Sequence, residues 1–155
     1  MVSTLTESCY DILFRNLDAK KLGEHLRLRH SVELIGMKRV GISNFLRFFL
    51  YHKGITNTYI NHGEKHLFIP VDLNDLVQLK ISAFWILAFK RLVDSVEGLP
   101  DQQLSKNTIN HLFLQSIQSQ NIFLTIENIK KALAEIVNLG IYPTFFFIRF
   151  DKLAS

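Results

Sequence analysis

An uninterrupted apolar run near the carboxyl end of the chain limits the fold most strongly. Residues 144–150 read Thr-Phe-Phe-Phe-Ile-Arg-Phe. A strand that is covered on one face alternates apolar and polar residues, whereas a strand covered on both faces is apolar throughout. The run is therefore typical of a central strand in a parallel sheet, and parallel strands need long crossover connections, which are usually helical.

The rest of the chain supplies the elements that such crossovers need. Short apolar runs at residues 31–35 and 67–73 predict two further strands, and Pro70 marks the second as an edge strand or a bulge. Apolar spacing and end signals predict helices over residues 18–28, 43–53, 75–97, 104–119 and 125–139. The order of strand, helix, strand, helices and strand predicts an α/β fold with right-handed crossovers.

Length and composition indicate one domain, residues 1–155, with a substantial core. Apolar residues make up 48% of the chain and charged residues 21%, which excludes a disordered tail. The net charge of +4 permits an anionic partner without requiring nucleic acid. Cys9 is the one cysteine, which excludes an intrachain disulfide framework or a cysteine-based zinc cluster. No signal peptide is evident, and the apolar stretch at residues 81–89 is too short to span a bilayer, so we expect a cytoplasmic protein without a membrane segment.

A loop between the first predicted strand and the next helix carries the clearest chemical pattern. Gly36, Gly41 and Ser43 match the phosphate-loop pattern G-x-x-x-x-G-K-[ST], but position 42 is Ile instead of Lys. Glycines let the backbone approach a phosphate closely, and successive N–H groups at the start of a helix attract an anion. The candidate ligand-binding residues are therefore Gly36, Met37, Lys38, Arg39, Val40, Gly41, Ile42, Ser43 and Asn44.

The absence of a lysine at position 42 has different consequences for nucleotide binding and for nucleotide hydrolysis. That lysine normally reaches the β- and γ-phosphates and neutralises charge during phosphoryl transfer, which Ile42 is unable to do. Lys38 and Arg39 supply positive charge within the same loop, but their side chains leave from other points of it. The pattern predicts nucleotide binding with weak or absent hydrolysis.

The loop and the start of its helix resemble the Walker A segment of P-loop NTPases. The run Ser-Asn-Phe-Leu-Arg at residues 43–47 is most similar to AAA+ ATPases of the origin-recognition and STAND-like type. This resemblance implies a three-layer αβα fold that binds ATP with magnesium, with Ser43 as a magnesium ligand. It also makes Phe14-Arg15-Asn16 a loose counterpart, without the glycine, of an aromatic-Gly-Arg motif that lies beside the adenine.

The resemblance extends to the run at residues 145–153, where the family carries its Walker B strand. The apolar residues match, but the positions of the Asp-Glu pair hold Ile148 and Arg149. Asp151 is then the stand-in for the acid that faces magnesium; the alternative is a solvated residue at a strand end. The family continues beyond this strand, so the chain resembles the front half of an ATPase module, with an incomplete parallel sheet.

Two alternatives to an ATP-binding domain stay open. A pseudo-ATPase that acts as an interaction or regulatory module fits the missing Lys and Asp-Glu pair. A DNA-associated AAA+ fragment fits a basic cluster, for which a solvated helix face is the plain interpretation: Lys20, Lys21, Arg27 and Arg29. We also expect residues 31–35 to form an unprotected sheet edge, which favours self-association or a protein partner.

Restoring the missing lysine tests the phosphate-loop interpretation directly. A hydrogen bond to a charged group contributes roughly 1.5–3 kcal/mol, so Ile42→Lys is expected to tighten ATP binding by about ten- to a hundredfold. Isothermal titration calorimetry measures this change. Unchanged ATP affinity in the variant means that the loop is not a phosphate site.

Overall fold

The computed structural model describes residues 6–34, 42–61 and 63–149. The chain divides into two compact units, Met1–Glu64 and Lys65–Ser155, and each is described by itself. That residues 1–155 act as one domain stays a prediction. Within the described residues, no helix combines the length and the apolar character that crossing a membrane requires.

The first unit is helical. It contains helices α1 (Asn16–Arg27) and α2 (Ile42–Tyr51), together with a short 3-10 turn at Thr6–Cys9 and a π-helical turn at Thr56–Ile60. The apolar stripe predicted for residues 43–53 is confirmed at Phe45 and Phe49, which are buried together with Phe48.

The strand predicted at residues 31–35 is wrong for the part that the structure describes. Residues 31–34 form irregular, exposed chain, and Ile35 lies outside the described residues. Val32 and Leu34 remain 38% and 42% exposed. A short apolar run predicts burial but does not supply a neighbouring strand, and a strand needs that neighbour to satisfy its backbone groups. Residues 31–34 therefore form no sheet edge through which copies of the chain could pair.

The second unit is an α/β arrangement. Strands β1 (Lys65–Asp72) and β2 (Ile141–Ile148) are separated along the chain by helices α3 (Ile81–Glu97), α4 (Gln103–Ser119) and α5 (Ile122–Asn138). The strands pair in parallel, with Ile69 opposite Phe145. The predicted α/β class with a parallel sheet is thus confirmed, with two strands in the sheet among the described residues.

One face of this sheet carries the core. Alternate side chains of β1, namely Leu67, Ile69 and Val71, are buried and belong to a cluster with residues of α3, α4 and α5. On the opposite face, the rings of Phe68 and Phe146 meet edge to face at 5.1 Å.

The place of each strand in the sheet corrects one expectation and confirms another. β2 is not a central strand in the described part of the chain, because β1 is its single neighbour. For the same reason β1 is an edge strand, as Pro70 predicted, since proline is tolerated where its nitrogen faces away from the ladder.

Two helices, α3 and α5, begin three or more residues away from the predicted start. α3 starts at Ile81 instead of residue 75, because a 3-10 turn at Leu73–Asp75 and an irregular stretch with the exposed Val77 precede it. α5 starts at Ile122, since the Asn121 side chain accepts hydrogen bonds from the backbone N–H groups of Phe123 and Leu124. The Asn121 cap therefore lies four residues before Thr125, the expected one.

A buried amide joins α4 to α5. Asn128 is fully buried, and its Nδ2 donates to the Leu112 carbonyl at 3.1 Å, the Gln115 Oε1 at 3.2 Å and the Ser116 Oγ at 3.0 Å. Its Oδ1 has no hydrogen-bond partner among the described residues. A buried amide that is bonded in this way fixes the register of the two helices, since sliding either helix leaves the Nδ2 group unsatisfied.

Gly23 lets helix α1 lie close to the backbone of Tyr59, and alanine at position 23 is expected to destabilise the first unit. A Cβ at position 23 would lie 2.1 Å from the Tyr59 carbonyl oxygen. Alanine normally favours a helix by about 1 kcal/mol over glycine, but overpacking against backbone costs about 1–3 kcal/mol or more. We expect Gly23→Ala to lower the free energy of unfolding, measured by urea denaturation and by amide hydrogen exchange in α1.

The neighbouring substitution Glu24→Ala is the matched control, since Glu24 is exposed on the same helix. It is expected to change stability by no more than about 0.5 kcal/mol. A Gly23→Ala protein as stable as this control would show that α1 and the π-helical turn do not pack as closely as described.

Candidate ligand cleft

Few of the sequence-predicted site residues fall within the described part of the chain. The loop from Gly36 to Gly41 lies outside it, as does Asp151, and Ile42 is described in its backbone alone. Ser43 and Asn44 are exposed in the first turn of α2. The Asn44 Oδ1 accepts a hydrogen bond from the Arg47 Nη2 at 2.8 Å.

A cleft of about 200 Å³ opens in the first unit beside this end of α2. Residues of α1, of the chain before it, of the segment 31–34 and of α2 line the cleft: Arg15, Asp18, Lys21, Leu22, Val32, Leu34 and Phe45. Leu34 is the last described residue before the glycine loop, and Phe45 lies in the first turn of the helix that follows the loop. The cleft is therefore lined by residues that precede and follow the glycine loop in the sequence.

The floor of the cleft is apolar and its rim is charged. Leu22 and Phe45 are buried, whereas Asp18 and Lys21 are exposed. The guanidinium carbon of Arg15 lies 5.4 Å from the centroid of the Phe45 ring, a distance typical of a cation–π contact. Two cations and one carboxylate give the lining a net positive charge, which suits an anionic or aromatic ligand.

An ion pair orients Arg15 over the aromatic ring. The Arg15 Nε and Nη2 lie 2.8 Å and 2.7 Å from the Asp18 Oδ2. Asp18 lies in the first turn of α1, where the helix dipole favours a carboxylate. Arg15 itself precedes the helix with left-handed backbone angles, φ 45° and ψ 46°, so the chain turns sharply at this residue.

The segment before Arg15 is held by hydrogen bonds to its backbone carbonyls. His52 Nε2 lies 2.9 Å from the Tyr10 carbonyl oxygen, and the Tyr59 hydroxyl donates to the Ile12 carbonyl. Burial, with a smaller contribution from the charge of Asp11, raises the pKa of the Tyr59 hydroxyl above its ordinary value. The hydroxyl therefore keeps its proton and its role as a donor across the physiological pH range.

Sequence reasoning found part of this cleft. The sequence places Arg15 beside a predicted adenine position and Lys21 in a basic cluster, while Phe45 lies in the predicted helix over residues 43–53. The contact between Arg15 and Phe45 joins residues 30 positions apart, and no spacing rule predicts it. Whether the predicted magnesium ligands Ser43 and Asp151 lie together stays a prediction, because Asp151 lies outside the described residues.

The second unit places an ion pair where the resemblance expects acids. Arg149 follows β2 and pairs with Asp72 at the end of β1. On helix α3, desolvation lowers the pKa of Arg91, but hydrogen bonds to Asp75 and Asp94 and the charges of these two residues outweigh that effect and raise it. Within the described residues, no group of three or more His, Cys, Asp and Glu side chains could hold a metal ion.

Comparison with known proteins adds no relative to this description. No protein-family model, no curated protein and no solved structure matches the chain. A proposed function therefore rests on the cleft and on the residues that line it.

Proposed function

We propose that the chain is a binding module for a phosphate-bearing ligand of the ATP class and that it does not hydrolyse this ligand efficiently. One observation carries the proposal: a cleft at the start of α2 combines the Arg15 guanidinium, held over Phe45, with the exposed Lys21 on its rim. Such a pairing of an apolar floor with cations suits a ligand that has both a flat ring and negative charge.

The size of the cleft indicates that it holds one part of such a ligand. Its volume of about 200 Å³ is below the 300–1,000 Å³ that is typical of sites for whole ligands. The apolar floor of Leu22 and Phe45 favours the base. The phosphates then extend towards the glycine loop, where Lys38 and Arg39 add positive charge and the start of α2 attracts an anion.

The absence of efficient turnover follows from residues that phosphoryl transfer needs and this chain lacks. Ile42 replaces the lysine that neutralises the transferring phosphate. Ile148 and Arg149 replace the acids of the Asp-Glu pair. Binding without hydrolysis is the behaviour of a pseudo-ATPase, in which the ligand regulates or stabilises the protein.

Replacement of the rim lysine is the sharpest test of the cleft. Lys21→Gln is expected to weaken ATP binding about tenfold, because it removes one charged contact. Lys20→Gln makes the same charge change on the same helix, and Lys20 does not line the cleft. The ATP affinity of the Lys20→Gln protein is expected to stay within about twofold of that of the unmodified protein, when the two proteins are titrated by calorimetry at physiological salt.

Three results would contradict the proposal. They are an unmodified protein that binds no ATP, equal weakening by the two lysine substitutions, and steady phosphate release that Lys21→Gln abolishes. Equal weakening would mean that ATP is attracted by the overall charge of α1, and phosphate release would mean that the chain is an active ATPase.

Ser43 is the proposed magnesium ligand, and it is exposed at the start of α2. If Ser43 supplies an oxygen ligand, the unmodified protein binds ATP more tightly with magnesium than without it, and Ser43→Ala loses that difference. Titration of both proteins with ATP, in magnesium and in chelator, measures the effect. Equal affinity with and without magnesium in the unmodified protein rules out this role of Ser43.

A further inference from the structure

The carboxyl end of α1 is closed by a Schellman motif. The backbone N–H of Arg29 donates to the Leu26 carbonyl at 3.0 Å, and that of His30 donates to the His25 carbonyl at 2.9 Å. Arg29 occupies the left-handed position of the motif, with φ 60°. This geometry brings the side chains of the first and last residues of the turn together, a contact that is usually hydrophobic.

In this chain the two side chains that meet are histidines. The Nδ1 atoms of His25 and His30 lie 3.3 Å apart, and the ring centroids lie 5.5 Å apart. Both residues are exposed. One Nδ1–H donates to the other Nδ1 in the arrangement described, so the two nitrogens face each other across a gap that is open to solvent.

The separation of these nitrogens matches the bite of a tetrahedral metal ion. Zn–N bonds of about 2.0–2.1 Å at the tetrahedral angle place two ligand nitrogens about 3.3–3.4 Å apart. The right angle that square-planar Cu²⁺ prefers places them about 2.8–3.0 Å apart. The observed 3.3 Å is compatible with zinc coordination, and the backbone turn that brings the two residues together reduces the ordering cost of binding.

We propose that His25 and His30 form a two-histidine zinc site at the carboxyl end of α1. On binding, the ring that carries its proton on Nδ1 releases that proton to water and takes one up on Nε2, so that both neutral imidazoles are protonated on Nε2 and each offers an Nδ1 lone pair to the ion. In this proposal the two Nδ1 atoms supply two ligands, and water molecules complete the coordination of the ion.

Two features near the histidine pair have opposite electrostatic effects on the binding of a cation. The carboxyl end of a helix carries partial negative charge, which favours a cation. Arg27 and Arg29 are exposed nearby in sequence and disfavour one. We therefore expect weaker binding than at a structural site with four protein ligands.

A metal ion at this position also has a structural consequence for the cleft. It cross-links α1 to His30, and the chain continues from His30 to Val32 and Leu34, which line the cleft. Zinc is expected to restrict the segment 31–34 and so to slow amide exchange there. This consequence does not depend on which ligand the cleft takes.

Titration of the full chain with zinc tests the site. Calorimetry and competition with a chromogenic chelator are expected to show one zinc ion bound per chain. His25→Ala and His30→Ala are each expected to weaken binding by at least tenfold. His111→Gln, which removes another exposed histidine, is expected to leave the affinity within twofold.

Nitrogen-15 NMR of the imidazoles identifies the coordinating atoms and guards against indirect effects of the substitutions. Zinc is expected to shift the Nδ1 signals of His25 and His30 and to leave both Nε2 atoms protonated. The proposal is overturned by the absence of saturable binding, by coordination through Nε2, or by an equal loss of affinity in His111→Gln.

Discussion

Tyr59 is the residue on which the first unit and its cleft depend. Its backbone lies so close to Gly23 that no side chain fits between them, and its hydroxyl donates to the Ile12 carbonyl. One residue therefore fixes α1 and also the segment that leads into it. Because Arg15 lies at the junction of these two parts, Tyr59 supports the backbone from which the Arg15 side chain reaches Phe45, and the ion pair with Asp18 then orients that side chain.

The second unit is governed by a different constraint, the parallel pairing of two edge strands. A two-stranded sheet is at best marginally stable by itself, and parallel strands cannot be joined by a tight turn. The three helices between β1 and β2 meet both needs, since they form the crossover and bury the face that carries Leu67, Ile69 and Val71. Asn128 then fixes α4 against α5, at the cost of leaving its own Oδ1 without a partner among the described residues.

Local signals predicted most of the helices and two of the three strands, because those elements depend on the spacing of their own residues. The helix at residues 43–53 and the strand at residues 67–73 were each predicted to within two residues of their observed bounds. The strand at residues 31–35 failed because its pattern contained no information about a pairing partner. The start of α3 was missed for a related reason, since the exposed Val77 continues an apolar pattern that packing does not use.

The candidate sites were less predictable than the elements that carry them. The phosphate-loop pattern identified the start of α2, but the cleft beside it depends on a contact between Arg15 and Phe45, which come from different parts of the chain. The pairing of His25 with His30 does have a local origin. A left-handed residue after a helix joins positions five apart, and glycine is the usual signal for it, whereas Arg29 gives no such signal.

The end of β1 illustrates why a carboxylate in a favourable place need not be a functional one. The carboxyl ends of parallel strands are where ligands usually bind in α/β folds, and Asp72 lies at such an end. Its Oδ1 accepts the backbone N–H of Asn74 at 3.0 Å, and its Oδ2 pairs with Arg149. The Asp72 carboxylate therefore closes the turn and joins the two strands, and these structural contacts account for an acid at this position. Arg149, at a position where the resemblance expects an acid, therefore pairs with the carboxylate at the end of the neighbouring strand.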